Sequence, residues 1–388
     1  MEVRPNPDMR SFLRPISVGM GREPEADEVD RFAELLDPAR AHSAFVDGEA
    51  VGSIGAFTFE LTVPGGSVPA AGATLAGVLP SHRRRGVLSR LMHAQLKDVR
   101  RRKEPVACLW TSEERIYGRF GYGLASLGMS IDVPTHRAGF RDDPGRRGQV
   151  RLVDEAEAAM RIPPLYDEVR RQRPGMVSRS EAWWRSRRLV GPSSGVLFRA
   201  IWEEEAYALY RVSLPWFTVP HGVVNVEEAI GVSFEATREI WRYLFTLDLV
   251  ERVKAYRLPL DHPLLLMLEE PRRLDVQVLD NLWIRLVDVE AAFAARARGS
   301  GAVIVELADR LIPANEGRWR IGHDTVERVE DEPDLMLDVA DLASVYLGAF
   351  TFAQLAAAGR VREARPEAAA RADQFFGTHP SPWCPEIF

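Results

Sequence analysis

Cysteine is nearly missing from this 388-residue chain. Cys108 and Cys384 are the only two, so no disulfide framework defines the fold, and the eight histidines form no zinc-spaced cluster with them. No metal is therefore expected. Lysine is also scarce: Lys97, Lys103 and Lys254 stand among a large excess of arginine. There is no surplus of positive charge, since 50 Lys+Arg against 56 Asp+Glu give −6. That balance argues against general nucleic-acid binding and suits a cationic partner instead. Long apolar runs are absent too. The longest, VYLGAFTFAQLAAAG at 345–359, is too short and interrupted to span a bilayer. The opening MEVRPNPDMR lacks a signal-peptide pattern, so the expectation is a cytoplasmic chain without a membrane partner. What is present is ordinary for globular proteins: 46% hydrophobic and 27% charged residues. At this length, two or three domains are expected.

The patterning suggests three regions. Residues 43–63 read as two strands joined at Asp47-Gly48, and 69–80 as a further extended run. After SHRRRG, the residues Val87, Leu88, Leu91, Met92, Leu96 and Val99 form an apolar stripe at helical spacing. A buried strand, PVACLWTS, follows at 105–112. A Pro- and Gly-rich, charged stretch at 134–149 marks a boundary. The strand–helix–strand order then recurs weakly at 223–230, 234–249 and 252–258, without the arginine–glycine turn. From about residue 286 a third, α+β region begins, with a hairpin turning near 313–317.

The turn HRRRGVLS, at 82–89, carries the clearest chemistry. A helix N-terminus presents unpaired N–H groups and a positive dipole, Gly86 allows close backbone approach, and Arg83, Arg84 and Arg85 add charge. Together these suit a pyrophosphate. In SEERIYGRFGYG, at 112–123, Tyr117 lies just beyond a strand end. A phenol there suits protonation of a departing thiolate; the other reading is a core tyrosine packed with Phe120 and Tyr122. Residues 191–195, GPSSG, formally match a hydrolase nucleophile elbow, but the flanking helix and strand come in the reverse order.

The order strand, RRRG, helix, strand and then Tyr117, Gly121, Tyr122 resembles the GCN5-related N-acetyltransferase (GNAT) superfamily. One departure is Leu88, where the superfamily usually has Gly or Ala. VLPSHRRRGVLSRLM, IYGRFGYG, DNLWIRLVDV at 280–289 and an aromatic terminus together resemble one branch, the Eis family of aminoglycoside acetyltransferases. That resemblance implies an α+β chain of two GNAT-like regions followed by a sterol-carrier-like domain. The expected divisions are 1–133, 134–285 and 286–388.

The same resemblance implies a set of site residues. Acetyl-CoA would lie along Ala76, Gly77 and Val78, with its pyrophosphate on Arg84, Arg85, Gly86, Val87, Leu88 and Ser89. Ser112 and Glu113 would flank the pantetheine. Tyr117 would be the general acid and the carboxylate of Phe388 the general base. The implied acceptor is an aminoglycoside or polyamine, and the implied assembly a homo-oligomer, specifically a hexamer. Carboxylates that suit a polycation are Glu25, Asp27, Glu28 and Glu386; the first three also read as a solvated helix face. Phe12 and Phe32 are aromatic neighbours in sequence that suit either a pocket or the core. A protein-lysine acetyltransferase, a CoA-binding sensor and a lipid carrier remain alternatives at this stage.

Overall fold

A computed structural model describes every residue except 112, 142, 190–194 and 215–220. The first of two compact units comprises residues 1–126, 282–379 and 386–388; the second comprises 127–281 and 380–385.

The first unit begins with β1 (Glu2–Pro5), α1 (Met9–Gly19), α2 (Ala26–Leu35), β2 (His42–Val46), β3 (Glu49–Val63) and β4 (Gly66–Val78). Asp8 caps α1 by accepting from the Ser11 amide. The β2–β3 hairpin turns where expected, with Asp47 and Gly48 both at positive φ, which matches the twist of the flanking strands. Helix α3 (Val87–Arg101) then leads to β5 (Val106–Leu109), α4 (Glu114–Tyr117) and β6 (Gly123–Leu124). The apolar stripe of α3 packs on Ala71, Ala73, Ile54 and Ala107 of the sheet. Gln95 interrupts the stripe and is buried, its amide donating to the Gly55 carbonyl at 2.7 Å.

The second unit is built on β7 (Leu127–Pro134), β8 (Val150–Leu152), β9 (Phe198–Trp202), β10 (Ala206–Ser213), β11 (Gly222–Gly231), β12 (Val250–Pro259) and β13 (Gln277–Asp280). Their order is β13-β7-β12-β11-β10-β9-β8. Among the described residues only β11 and β12 run parallel, and the helix Phe234–Phe245 lies between them in sequence. This is the recurrence that the sequence suggested, with a shorter helix. Sequence expectation put a break after residue 133, but β7 pairs with β12 and β13, because Met129, Ile131 and Val133 pack into the second core.

Strand β14 (Trp283–Leu286) belongs to the first unit. It inserts between β5 and β6, giving the sheet order β1-β2-β3-β4-β5-β14-β6. The remaining strands, β15 (Ala302–Ala308), β16 (Gly317–Gly322), β17 (Val326–Arg328), β18 (Leu335–Asp338) and β19 (Val361–Glu363), form a smaller mixed sheet ordered β17-β16-β15-β18-β19. The architecture is α+β: two seven-stranded mixed sheets and a five-stranded one. Among the described residues no helix is long and apolar enough to cross a membrane.

Candidate active site

The site is built where β4 and β5 part. They run parallel and pair over Ala70–Gly72 and Val106–Cys108 only; past Gly72, the β5 side of β4 faces a gap. On its other edge β4 stays paired to β3 but carries a bulge. Leu75 and Ala76 together oppose Ile54, and Leu75 takes a left-handed φ of 52°. Among the described residues no strand pairs with that edge of β4 past Gly72, which suits an extended, amide-bearing ligand.

A cleft of about 730 Å³ opens there. One wall is Ile16, Gly19 and Met20 of α1 with Ala76, Gly77 and Val78 of β4. The turn contributes His82, Arg83, Arg84 and Gly86, and α3 contributes Val87, Leu88 and Ser89. Glu113, Ile116, Tyr117 and Arg119 form the facing wall. Arg85 lies outside this lining. Arg83, the arginine omitted from the expected set, is inside it. Its guanidinium reaches the carbonyls of Gly19 at 3.3 Å and Val78 at 3.4 Å, tying the turn to α1 and β4. Ser112 lies outside the described residues, as does 191–194 of the GPSSG segment.

Gly86 stands at the N-cap of α3 with φ +76°, no side chain caps the helix, and no acid occupies its first turn. Its leading N–H groups therefore have no side-chain partner among the described residues, and they follow the exposed Arg84 and Arg85 in the chain. The corresponding fork of the second unit is built differently. Ser233 caps the helix Phe234–Phe245, and Glu235 occupies its first turn. Beyond the last β11–β12 pair, Val226 with Ala255, Glu228 is fully buried. It accepts from Arg179 and Tyr207 at 2.6 Å each and forms an ion pair with Arg188 at 3.0 Å. Burial alone would push that carboxyl up, but the two guanidiniums outweigh it and hold the pKa at about 2. The indole of Trp383 donates to the Arg257 carbonyl, and the void left in the fork is only about 10 Å³.

Tyr117 ends α4 with its ring edge-on to Tyr122, centroids 6.0 Å apart. Burial raises its phenol above the usual range, so it is protonated at neutral pH. Tyr122 is fully buried, its hydroxyl has no hydrogen-bond partner among the described residues, and burial raises it further still. Behind it lies a pair that sequence reasoning did not single out. Arg285 of β14, wholly buried, donates from Nη2 to both Asp309 oxygens at 2.7 Å, and a Cβ on Gly121 would come within 2.9 Å of its guanidinium.

Phe388 occupies the opposite face of the sheet from Tyr117. Gly55 and Phe59 share one face of β3, where a Cβ on Gly55 would touch Phe12 of α1 at 3.2 Å. The Phe388 ring lies against Phe59, centroids 5.0 Å apart, on that α1 face and beside Gly72. Tyr117 packs instead on the cluster of Ala71, Ala73 and Leu91, on the α3 face. The two groups thus flank the fork from its two sides.

The proposed carboxylates are dispersed. Glu25 and Asp27 are exposed at the start of α2. Glu28 is engaged bidentately by Arg22 at 2.6 and 2.8 Å, which holds its pKa below the usual range. None of the three lines the cleft. Glu386 is buried, and Phe12 and Phe32 belong to the core.

Domain-family profiles described as "Acetyltransferase (GNAT) domain" match residues 5–125 and 175–286, and one described as "Sterol carrier protein domain" matches 289–385. An N-acetyltransferase of Streptomyces avermitilis is 38% identical over 381 residues, covering 94% of this chain and 93% of its own. N-acetyltransferase Eis of Mycobacterium tuberculosis is 33% identical over 344 residues, covering 85% of this chain and 84% of its own. The chain belongs to the Eis family of N-acetyltransferases. The crystal structure of Eis1 from Mycobacterium abscessus superposes with a TM-score of 0.91 at 34% identity, covering 100% of both chains. As a GNAT-type member of the Eis family, the chain is an acetyl-CoA-dependent acetyltransferase. Its first fork suits that co-substrate: a bare, cation-flanked helix end for phosphates and an unpaired strand edge for pantetheine amides.

Proposed function

We propose that this Eis-family enzyme moves acetyl from acetyl-CoA directly to a primary amine of a polycationic small molecule, such as an aminoglycoside or polyamine. Tyr117 is the general acid and the Phe388 carboxylate the general base. What supports this reading is that Tyr117 lines the cleft ending at a cation-flanked helix start, while the ring of Phe388 packs on the opposite face of the sheet beside the β4–β5 fork. In this reading the backbone of Ala76, Gly77 and Val78 and the N–H groups of Val87, Leu88 and Ser89 hold the co-substrate. Arg84 and Arg85 neutralise its phosphates, and Ser112 and Glu113 flank the pantetheine.

Bound acetyl-CoA supplies an activated thioester. The chain's own groups handle the protons. As the new C–N bond forms and the C–S bond breaks, the Phe388 carboxylate accepts the proton leaving the amine, directly or through a water. Tyr117 Oη gives its proton to the departing sulfur. Solvent then returns the proton from the carboxyl to the phenolate. A free carboxylate is a weak base, with an ordinary pKa near 3.3–3.7, so its value lies in position rather than basicity. Glu25, Asp27 and the net charge of −6 favour approach of a cation, α2 packing on α1 on the Phe388 side of the sheet. The buried Glu386 belongs to the same proposed acceptor side. A homo-oligomer, specifically the hexamer implied by the resemblance, is part of the proposal and is testable by light scattering.

The test is CoA release with aminoglycosides, polyamines and lysine peptides as acceptors. Tyr117→Phe should lower kcat at least 100-fold, and one glycine added after Phe388 at least 10-fold, both with CoA affinity unchanged. Full turnover in Tyr117→Phe removes the general acid. Full turnover in the extended chain removes the base. Tight CoA binding without turnover on any amine favours a sensor.

A further inference from the structure

We infer that Phe59 and Gly72 are positioning residues: they form a socket for the Phe388 ring and thereby fix the terminal carboxylate at the fork. The inference rests on the proposed role of that carboxylate as base.

Chain ends ordinarily fray unless something ties them down. Here the last residue is 8% exposed, and its ring meets Phe59 edge-on, centroids 5.0 Å apart and planes 63° apart. Gly72 makes the space for this pair. It is the last β4 residue paired to β5, and its neighbours Ala70, Ala71 and Ala73 all carry methyl groups. A Cβ at Gly72 would collide with the Phe59 ring, lying 2.6 Å from Cδ2, and would press on Phe388 Cε2 at 3.3 Å. Gly72 has no left-handed backbone to explain its identity, since it is not among the positive-φ glycines. Its missing side chain therefore serves packing. A terminal carboxylate is two bonds from the β-carbon that carries the ring, so seating the ring restricts the carboxylate to a small volume. The socket accordingly demands an aromatic last residue as well as a free carboxylate.

The test combines Phe59→Leu, Phe388→Ala and the one-glycine extension in the full-length chain. Carboxypeptidase A followed by mass spectrometry reads how tightly residue 388 is held. Phe59→Leu should release Phe388 at least tenfold faster and lower kcat at least tenfold, with CoA affinity by calorimetry within twofold. Phe388→Ala keeps a carboxylate yet should lose as much kcat, and it leaves the sheet untouched should Phe59→Leu fold poorly. In the extended chain, Phe59→Leu should cause no further loss, because both changes act through one group. Unchanged release in Phe59→Leu, or full activity in Phe388→Ala, overturns the inference. Faster release with unchanged kcat in Phe59→Leu overturns the base assignment instead and leaves the socket standing.

Discussion

Gly77 and Gly86 both line the cleft, but for different physical reasons, and substitution separates them. At Gly77 the constraint is space: a Cβ would lie 2.7 Å from Ile16 Cα and 2.9 Å from Ile16 Cγ1. Backbone is in the way, so α1 would have to retreat from β4. Overpacking of this kind costs about 1–3 kcal/mol. At Gly86 nothing lies within 4 Å of a Cβ, but φ is +76°. The cost of alanine there is conformational, about 1–2 kcal/mol. For a unit of this size each kcal/mol lowers Tm by about 2–4 °C, so either alanine variant should lose several degrees by calorimetry. Asparagine resolves the two. It tolerates left-handed backbone, so Gly86→Asn should recover much of what Gly86→Ala loses, whereas Gly77→Asn should be worse than Gly77→Ala. CoA affinity should fall in Gly77→Ala, because Ile16, Gly19 and Met20 form one wall of the cleft. Equal behaviour of alanine and asparagine at both sites would refute the distinction.

Two further outcomes follow from buried polar groups. Tyr122→Phe removes a hydroxyl that has no hydrogen-bond partner among the described residues, so it should hold or raise stability, by up to about 1–3 kcal/mol, and keep turnover within threefold. A collapse of activity matching that of Tyr117→Phe would show that the two tyrosines have been assigned the wrong way round. Glu228→Gln removes the buried negative charge that faces Arg179 and Arg188 and should cost about 3–5 kcal/mol at pH 7 by urea unfolding. The folded pKa of about 2 lies below the unfolded value of about 4.3, so this stabilisation is complete above pH 5 and lost as pH falls towards 2. The gap between wild type and variant should narrow over that window; a gap independent of pH would assign the loss to packing.

Much of the fold was legible because its elements carry local signals. The Asp47-Gly48 turn, the stripe of α3 and the arginine–glycine turn each announce themselves within a few residues. Sheet membership was not legible. Nothing local to Leu127–Pro134 or Trp283–Leu286 says which sheet each joins, since both are short apolar strands whose partners are distant in sequence. The turn and Tyr117 could be read from motif order. The bulge at Leu75 could not, because leucine is an unexpected residue for left-handed backbone. Arg285 stood within a quoted motif, yet its meaning depends on Asp309, twenty-four residues further on. The clustering of Glu25, Asp27 and Glu28 overstated their availability, because the sequence does not reveal that Arg22 already engages Glu28.

The insertion of β14 between β5 and β6 also governs the order in which the enzyme comes into being. When a ribosome has delivered residue 126, β5 and β6 exist but have no strand to join them, and that strand ends at Leu286. At about 5–20 residues per second, the intervening 160 residues take about 8–32 s. During that interval the half-finished sheet presents open edges, while the second sheet, whose strands are nearly consecutive, has the opportunity to close first. A fragment ending at residue 133 would keep the arginine turn and Tyr117 but lack the strand that completes the sheet beneath them. The acetyltransferase region is therefore not a detachable module: it is finished only by sequence that lies far beyond the arginine turn and Tyr117.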